Sequence, residues 1–312
     1  MKKILLVADL KGWVFERHCR EIKKRLSHKY HLDITYCRGA PDVRETSKKY
    51  DLVYVLDPLP INYPPKEKTI MGLRCQWLYE THPKGAKGLY NNGLPGRCAA
   101  PEVRCCMLHV VNKNMLNTFK DIVTDRPLLL AQHGVDETIF NRDLYEEKEY
   151  SEEPFTPLIV GMSGRKRSDG KKGFDAVQKA CKKDGHKFIE ASYEGRKLKK
   201  KEMPNFYRKM DVYVCFSKSE GLNNPVLEAG AMGIPVISTK CGAAEEIIKQ
   251  GSNGLLIDRD LNALRDALAL LSNTKFRKTA SNNMYETIMK KWTWEHRIKD
   301  FENMFDMYFE GK

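Results

Sequence analysis

No stretch of this sequence stays apolar for the ~20 residues that a bilayer-spanning helix requires, so no transmembrane helix is expected. The basic, then apolar start, Met1 to Asp9, is too short in its apolar part for a signal peptide and reads as a first buried strand. A cytoplasmic protein is expected, able to work at the periphery of a membrane. No Cys-x-x-Cys pair occurs among the nine cysteines, which removes zinc ribbons and dithiol redox motifs and leaves reduced, mostly buried thiols. Cys98, Cys105, Cys106 and His109 lie in one stretch, at a spacing that matches no ligand pattern; no metal site is expected. A Walker pattern is missing too, because Gly170-Lys171-Lys172 lacks the following Ser or Thr. Neither internal repeats nor low-complexity segments are evident.

Acidic residues are the minority charge: 41 Asp and Glu stand against 54 Lys and Arg, a net charge of +13. That balance favours polyanionic partners, whether anionic lipid, acidic glycan or nucleic acid. Part of the excess lies in Arg17 to Arg25 and part in Arg196 to Lys201. Either run by itself fits a solvated helix face or loop.

The 312 residues suffice for two domains with proper cores. Apolar runs at residues 3–8, 31–36 and 52–56 alternate with a helical pattern carrying Val14, His18, Ile22 and Leu26 on one face, the traffic of a parallel α/β sheet. Residues 73–79, 103–111 and 128–131 read as further strands, and 84–101 as a long mobile loop. Tyr145 to Pro157 is acidic and proline-bounded, a fair linker, and strand–helix alternation resumes at Leu158. Ligands in such sheets bind at the carboxyl ends of the strands. The polar loops there are Asp9–Trp13, Glu80–Pro83, Gly161–Gly173 and Ser217–Asn224.

The most informative of these follows the apolar segment Val212 to Phe216. It reads Glu220-Gly221-Leu222-Asn223-Asn224-Pro225-Val226-Leu227-Glu228. Pro225 suits the start of a helix, and the asparagines suit a loop that takes left-handed backbone. A helix start attracts an anion, while two carboxylates accept strongly from hydroxyls. Phosphate together with hydroxyls describes a sugar nucleotide. The loop from Gly161 to Phe174 adds small residues, which let the backbone approach a ligand, and the cations Arg165, Arg167 and Lys172 to face its phosphates. Fixed cations would stabilise the charge that grows on a departing nucleoside diphosphate.

Glu220 to Glu228 resembles the two-glutamate signature of retaining glycosyltransferases of the GT4 type, with Leu222, Asn223 and Asn224 replacing the family's Phe-Gly-Leu. Lys172-Gly173 resembles the family's Lys-Gly, and both Arg165 and Arg167 are candidates for its diphosphate-binding Arg. Tyr207 to Val214, Gly233 to Thr239, Gly251 to Leu256, His133 to Asp136 and the late Trp292 and Trp294 extend the likeness. The resemblance implies an α/β GT-B fold: two Rossmann-like doubly wound domains facing a central cleft, with the last helix crossing back to the first. The expected division is 1–153 for an acceptor domain, 154–291 for a nucleotide-sugar domain and 292–312 for the returning helix. It implies retention of anomeric configuration without a metal or cofactor, the donor being a UDP- or GDP-sugar. It gives Glu220 and a first-domain His the catalytic sugar contacts, with His82 the candidate and His109 the runner-up. Glu228 would bind the ribose. Arg165, Arg167, Lys172, Gly221, Leu222, Asn223 and Asn224 would line the donor site, and Gly12 stands in the first-domain glycine loop. Asp258-Arg259-Asp260 spells the DxD of metal-dependent transferases but reads as a helix cap.

The acceptor is expected to be anionic or presented on an anionic surface: an envelope glycan or a lipid-linked sugar, with Arg17 to Arg25 as a docking face. Hydroxymethylated DNA is the alternative acceptor. A non-catalytic sugar-nucleotide-binding protein on the same fold is the rival from another class.

Overall fold

The structure is a computed structural model that describes all residues except 39–41, 95–99, 150–152, 154, 165–169, 193–197 and 312. The chain forms two compact units, Met1–His133 with Arg297–Lys312, and Gly134–His296.

In the first unit β1 (Lys3–Ala8), β2 (His31–Tyr36), β3 (Leu52–Val55), β4 (Thr69–Leu73), β5 (Met107–Val110) and β6 (Leu128–Leu130) make a sheet in the order β2-β1-β3-β4-β5-β6. All its pairings are parallel, with Leu5 opposite both Asp33 and Val53. The run Ile4 to Ala8 is buried on both faces, as a strand covered by helices on either side must be. Helix Val14–Leu26 turns His18, Cys19, Ile22 and Leu26 inward. Residues Arg297–Lys312, most of helix Trp294–Glu310, return to this unit. Phe301 and Phe305 are fully buried there, their ring centroids 6.3 and 5.8 Å from that of Tyr54.

Several local expectations change. Strand β4 ends at Leu73, and Trp77–Glu80 is helical rather than strand. Within the stretch expected to be a mobile loop, Gly85–Asn92 is a helix with Gly88, Leu89 and Tyr90 buried. Pro101–Arg104 is a helical turn, and β5 starts only at Met107. In the first case apolar residues that looked like strand meet the core on one side of a short helix instead, and in the second the buried Leu89 and Tyr90 hold a helix where polarity suggested a loop.

In the second unit β7 (Ile159–Gly164), β8 (Lys187–Ser192), β9 (Val212–Cys215), β10 (Val236–Thr239) and β11 (Gly254–Ile257) form a parallel sheet in the order β11-β10-β9-β7-β8. Val160, Met162, Val214, Ile237 and Leu268 lie in its core. Residues 134–149 pack with this unit. Val135 N–H donates to Trp292 O at 2.8 Å and Trp294 N–H to Val135 O at 3.0 Å. A Cβ on Gly134 would lie 2.2 Å from the Thr293 carbonyl carbon, so only glycine permits that approach. Lys148 donates to Asp211 at 2.9 Å.

Each sheet reverses its direction of growth once, between β1 and β3 in the first and between β7 and β9 in the second. In open α/β sheets the loops leaving the neighbouring strands at such a reversal form the ligand site at the carboxyl ends. In the second unit they are the segment after Gly164 and the segment after Cys215.

Candidate active site

Lys172 and Glu220 come from those two loops. Gly173, with φ +73°, ends the first and caps helix Phe174–Lys183; a Cβ there would come within 2.7 Å of the Phe216 ring. Lys218 N–H donates to Lys171 O at 2.9 Å, and the Arg259 guanidinium bridges both segments, to Phe216 O at 3.1 Å and Gly170 O at 2.7 Å. So held, the Lys172 ammonium forms an ion pair with the Glu220 carboxylate, their side chains 21% and 18% exposed. Burial, the largest single effect, depresses the Lys172 pKa, but the Glu220 charge and hydrogen bond together with Cys215 and Cys241 leave it above the ordinary lysine value.

Asn223 caps helix Asn224–Ala231 with Pro225 in its first turn. Its φ is −68°, and among the described residues positive φ is confined to glycine, so the asparagines do not supply left-handed backbone. That conformation falls instead to Gly242, at φ +59°, where a Cβ would sit 2.4 Å from both Asn223 Oδ1 and Gly221 O. Beneath the loop the Asn223 amide reaches Cys215 Sγ at 3.4 Å and Cys241 Sγ at 3.9 Å. The hydrogen bond from Cys241 favours the thiolate of Cys215 against burial, Lys172 adding to it, while Cys241 is pushed up. Among the described residues, Ser219 Oγ and Asn223 Oδ1 are buried without a hydrogen-bond partner. Leu222 is buried, and Gly221 and Asn224 are half-buried.

Glu228 lies within the same helix, and Tyr207 Oη donates to its Oε2 at 2.8 Å. Asp260 caps helix Leu261–Ser272, accepting from Asn262 and Ala263 N–H at 2.8 and 2.9 Å. Arg165 and Arg167 lie outside the described residues. Among those described, no group of three or more His, Cys, Asp or Glu side chains converges as a metal site requires. A cavity of about 250 Å³ takes in Arg142, Tyr145, Arg208, Gly233 and Ile234, ahead of β10 and away from Lys172 and Glu220.

In the first unit His82 follows a short helix, not a strand. Its Nδ1 accepts from Lys84 N–H at 3.0 Å and its Nε2–H donates to Gly93 O at 3.2 Å, so the ring fastens the chain around helix Gly85–Asn92. His109 is fully buried on β5 with Nε2 2.6 Å from Tyr54 Oη; burial, with Arg74 adding, pushes its pKa down to about 3 and keeps it neutral. Gly12, at φ +83°, donates its N–H to the Glu16 side chain. A polar group not picked out in the sequence sits where this sheet reverses. Arg74 N–H donates to Asp57 Oδ1 at 3.0 Å, Arg74 contacts His18 Nδ1, and the His18 and His133 rings lie 4.1 Å apart. Single residues on a helix and on separate strand ends left no spacing to read.

The basic face of helix Val14–Leu26 is largely compensated. Arg20 pairs with Glu16 at 2.7 Å, Lys23 with Asp33 at 3.4 Å, and Arg25 with Glu21. Lys200, in the second basic run, pairs with Asp136 at 2.7 Å.

A family model described as glycosyl transferases group 1 matches residues 147–274. The second unit is a group 1 glycosyltransferase domain. The lipopolysaccharide core biosynthesis mannosyltransferase LpsB of Rhizobium meliloti is 37% identical over 83 residues, 26% of this chain and 24% of that protein. The chain spans less than half the length of the curated relatives it matches. Around the group 1 domain the likeness is one of fold. Sucrose-phosphate synthase from Thermosynechococcus elongatus superposes with TM-score 0.74 at 13% identity, covering all of both chains. Anabaena HepE, solved with UDP and glucose, gives 0.70 at 13% identity over 98% of this chain and all of that one. The fold is therefore GT-B, an α/β pair of Rossmann-like units.

Proposed function

We propose that this chain is a retaining glycosyltransferase that moves a sugar, without a metal ion, from a nucleotide diphosphate sugar to an acceptor hydroxyl. The observation that carries the reading is the Lys172–Glu220 pair at the switch point of the second sheet. Two charged groups this sheltered have lost hydration, and each needs a partner to offset that loss. Without donor they partner each other. With donor bound, Lys172 turns to the diphosphate and Glu220 accepts from hydroxyls of the sugar, so neither is left alone. Lys172 then stabilises the negative charge that grows on the leaving diphosphate as the bond to the sugar breaks. Arg165 or Arg167 is assigned to the same diphosphate. Ser219 Oγ and Asn223 Oδ1, unpartnered among the described residues, add polar capacity in the same loop. Glu228 is assigned to the ribose.

The group 1 domain and the UDP bound by HepE support a nucleotide donor, and UDP-glucose is the first to try. For the acceptor we infer an anionic envelope glycan or lipid-linked sugar. The net charge of +13 supports it, as does the lipopolysaccharide role named for LpsB. The compensated basic helix makes the overall charge, rather than that one face, the basis of this inference. UDP- and GDP-sugars screened by thermal shift, then by mass spectrometry of the products with lipid-linked and glycan acceptors, test the reading. A donor that stabilises the protein and is consumed with retained configuration supports it. Binding to neither class of donor would overturn it.

A further inference from the structure

Tyr207 ends helix Met203–Tyr207 and has no exposed surface. Its ring is edge-on to those of Phe206, Tyr213 and Phe140 at 5.8, 5.9 and 6.1 Å. A phenol in such apolar company must find its partners among the few polar atoms in reach. They are Glu228 Oε2 at 2.8 Å and Ser163 Oγ at 3.4 Å, the latter on β7 just before the cationic loop. Burial, with the Glu228 charge adding, holds the Tyr207 pKa well above the ordinary tyrosine value, so the hydroxyl keeps its proton and stays a donor.

We propose that Tyr207 is a positioning residue for donor binding, fixing the Glu228 carboxylate so that it meets the ribose hydroxyls already oriented. This rests on the assignment of Glu228 to the ribose and goes beyond it. A glutamate on a helix has several rotamers, and two neighbouring ribose hydroxyls need a carboxylate presented at one angle. With Oε2 held by a buried phenol, one oxygen of the carboxylate is placed before the nucleotide arrives. Affinity then does not bear the cost of ordering it. The tie acts only through Glu228, so its effect must appear as recognition of hydroxyls and must vanish once Glu228 cannot provide it.

The test is a double-mutant cycle on the full chain, with UDP and 2′-deoxy-UDP titrated by calorimetry into the unmodified protein, Tyr207→Phe, Glu228→Gln and the double variant. Tyr207→Phe keeps the ring and its packing. It is expected to weaken UDP by about tenfold and 2′-deoxy-UDP by about twofold or less, as loss of a hydrogen bond to a charged group predicts. Discrimination between the nucleotides should collapse likewise in Glu228→Gln, and adding Tyr207→Phe to it should cost about twofold or less. Equal weakening of both nucleotides by Tyr207→Phe would show a packing role only and overturn the proposal. So would effects that multiply in the double variant. If Glu228→Gln left the discrimination of the unmodified protein intact, the ribose assignment would fall first and this inference with it.

Discussion

The Lys172 ammonium rests on the Glu220 carboxylate, a residue 48 positions along the chain. One stands at the end of the loop after β7, the other in the loop after β9, and these strands pair directly, Gly161 opposite Tyr213. Adjacency of the strands converts a long sequence separation into a contact. Because both groups are mostly sheltered, the pair behaves as a unit: removing one partner strands the other.

Glu220→Ala should therefore do two things. Transfer should be lost, and the protein should be destabilised by about 1–3 kcal/mol, less than for a fully buried pair because water reaches both side chains. Saturating UDP should recover part of that loss by supplying Lys172 with a new anion. Calorimetric melting with and without UDP, alongside mass spectrometry of donor turnover, reads both. Full sugar transfer by this variant would remove Glu220 from the mechanism.

Lys172→Ala is expected to weaken UDP by about ten- to a hundredfold, the range of a charge-assisted hydrogen bond to phosphate. Uridine, which lacks the phosphates, should bind both proteins alike. If UDP affinity stayed within a factor of two of the unmodified protein, the diphosphate would lie elsewhere.

Gly242→Ala combines a positive φ with a clash, since the new Cβ would lie 2.4 Å from Asn223 Oδ1 and Gly221 O. Gly251 has φ +71° but open space around its Cβ position. Both substitutions should cost about 1 kcal/mol or more in backbone strain. Only Gly242→Ala should also displace the Glu220 loop and reduce UDP binding. Equal UDP affinity in the two variants would show that the close packing of Gly242 does not set the loop.

Asp57 offers a pH test in the first unit. Burial pushes its carboxyl from the ordinary 3.8 up to about 7, against the backbone N–H and charge of Arg74. The folded protein thus holds this proton at pH values where the unfolded chain has lost it. The folded state binds more protons in that window, so this group makes stability fall as pH rises from about 4 to about 7. Asp57→Asn removes the effect. Its stability relative to the unmodified protein should rise by on the order of 4 kcal/mol between about pH 4 and pH 8, read as a rising relative melting temperature. A difference in melting temperature that stays constant across that range would mean that Asp57 ionises normally.

Sequence alone carried what depends on neighbours in the chain. Strands such as His31–Tyr36 follow from apolar runs, and helix Val14–Leu26 follows from the spacing of its inward residues. The cap at Asp260 follows from a short side chain placed ahead of a helical pattern. The glutamate motif and Lys172-Gly173 were legible for the same reason: each is a compact local pattern. Only the tertiary structure decided matters that depend on distant contacts. It made a helix of Gly85–Asn92, turned His82 toward its own loop and sealed His109 against Tyr54. It gave the left-handed turn under Asn223 to Gly242, and it joined Tyr207 to Glu228. Burial and hydrogen-bond partners are properties of the folded chain, and residues far apart in sequence acquire them only when the sheets bring their strand ends together.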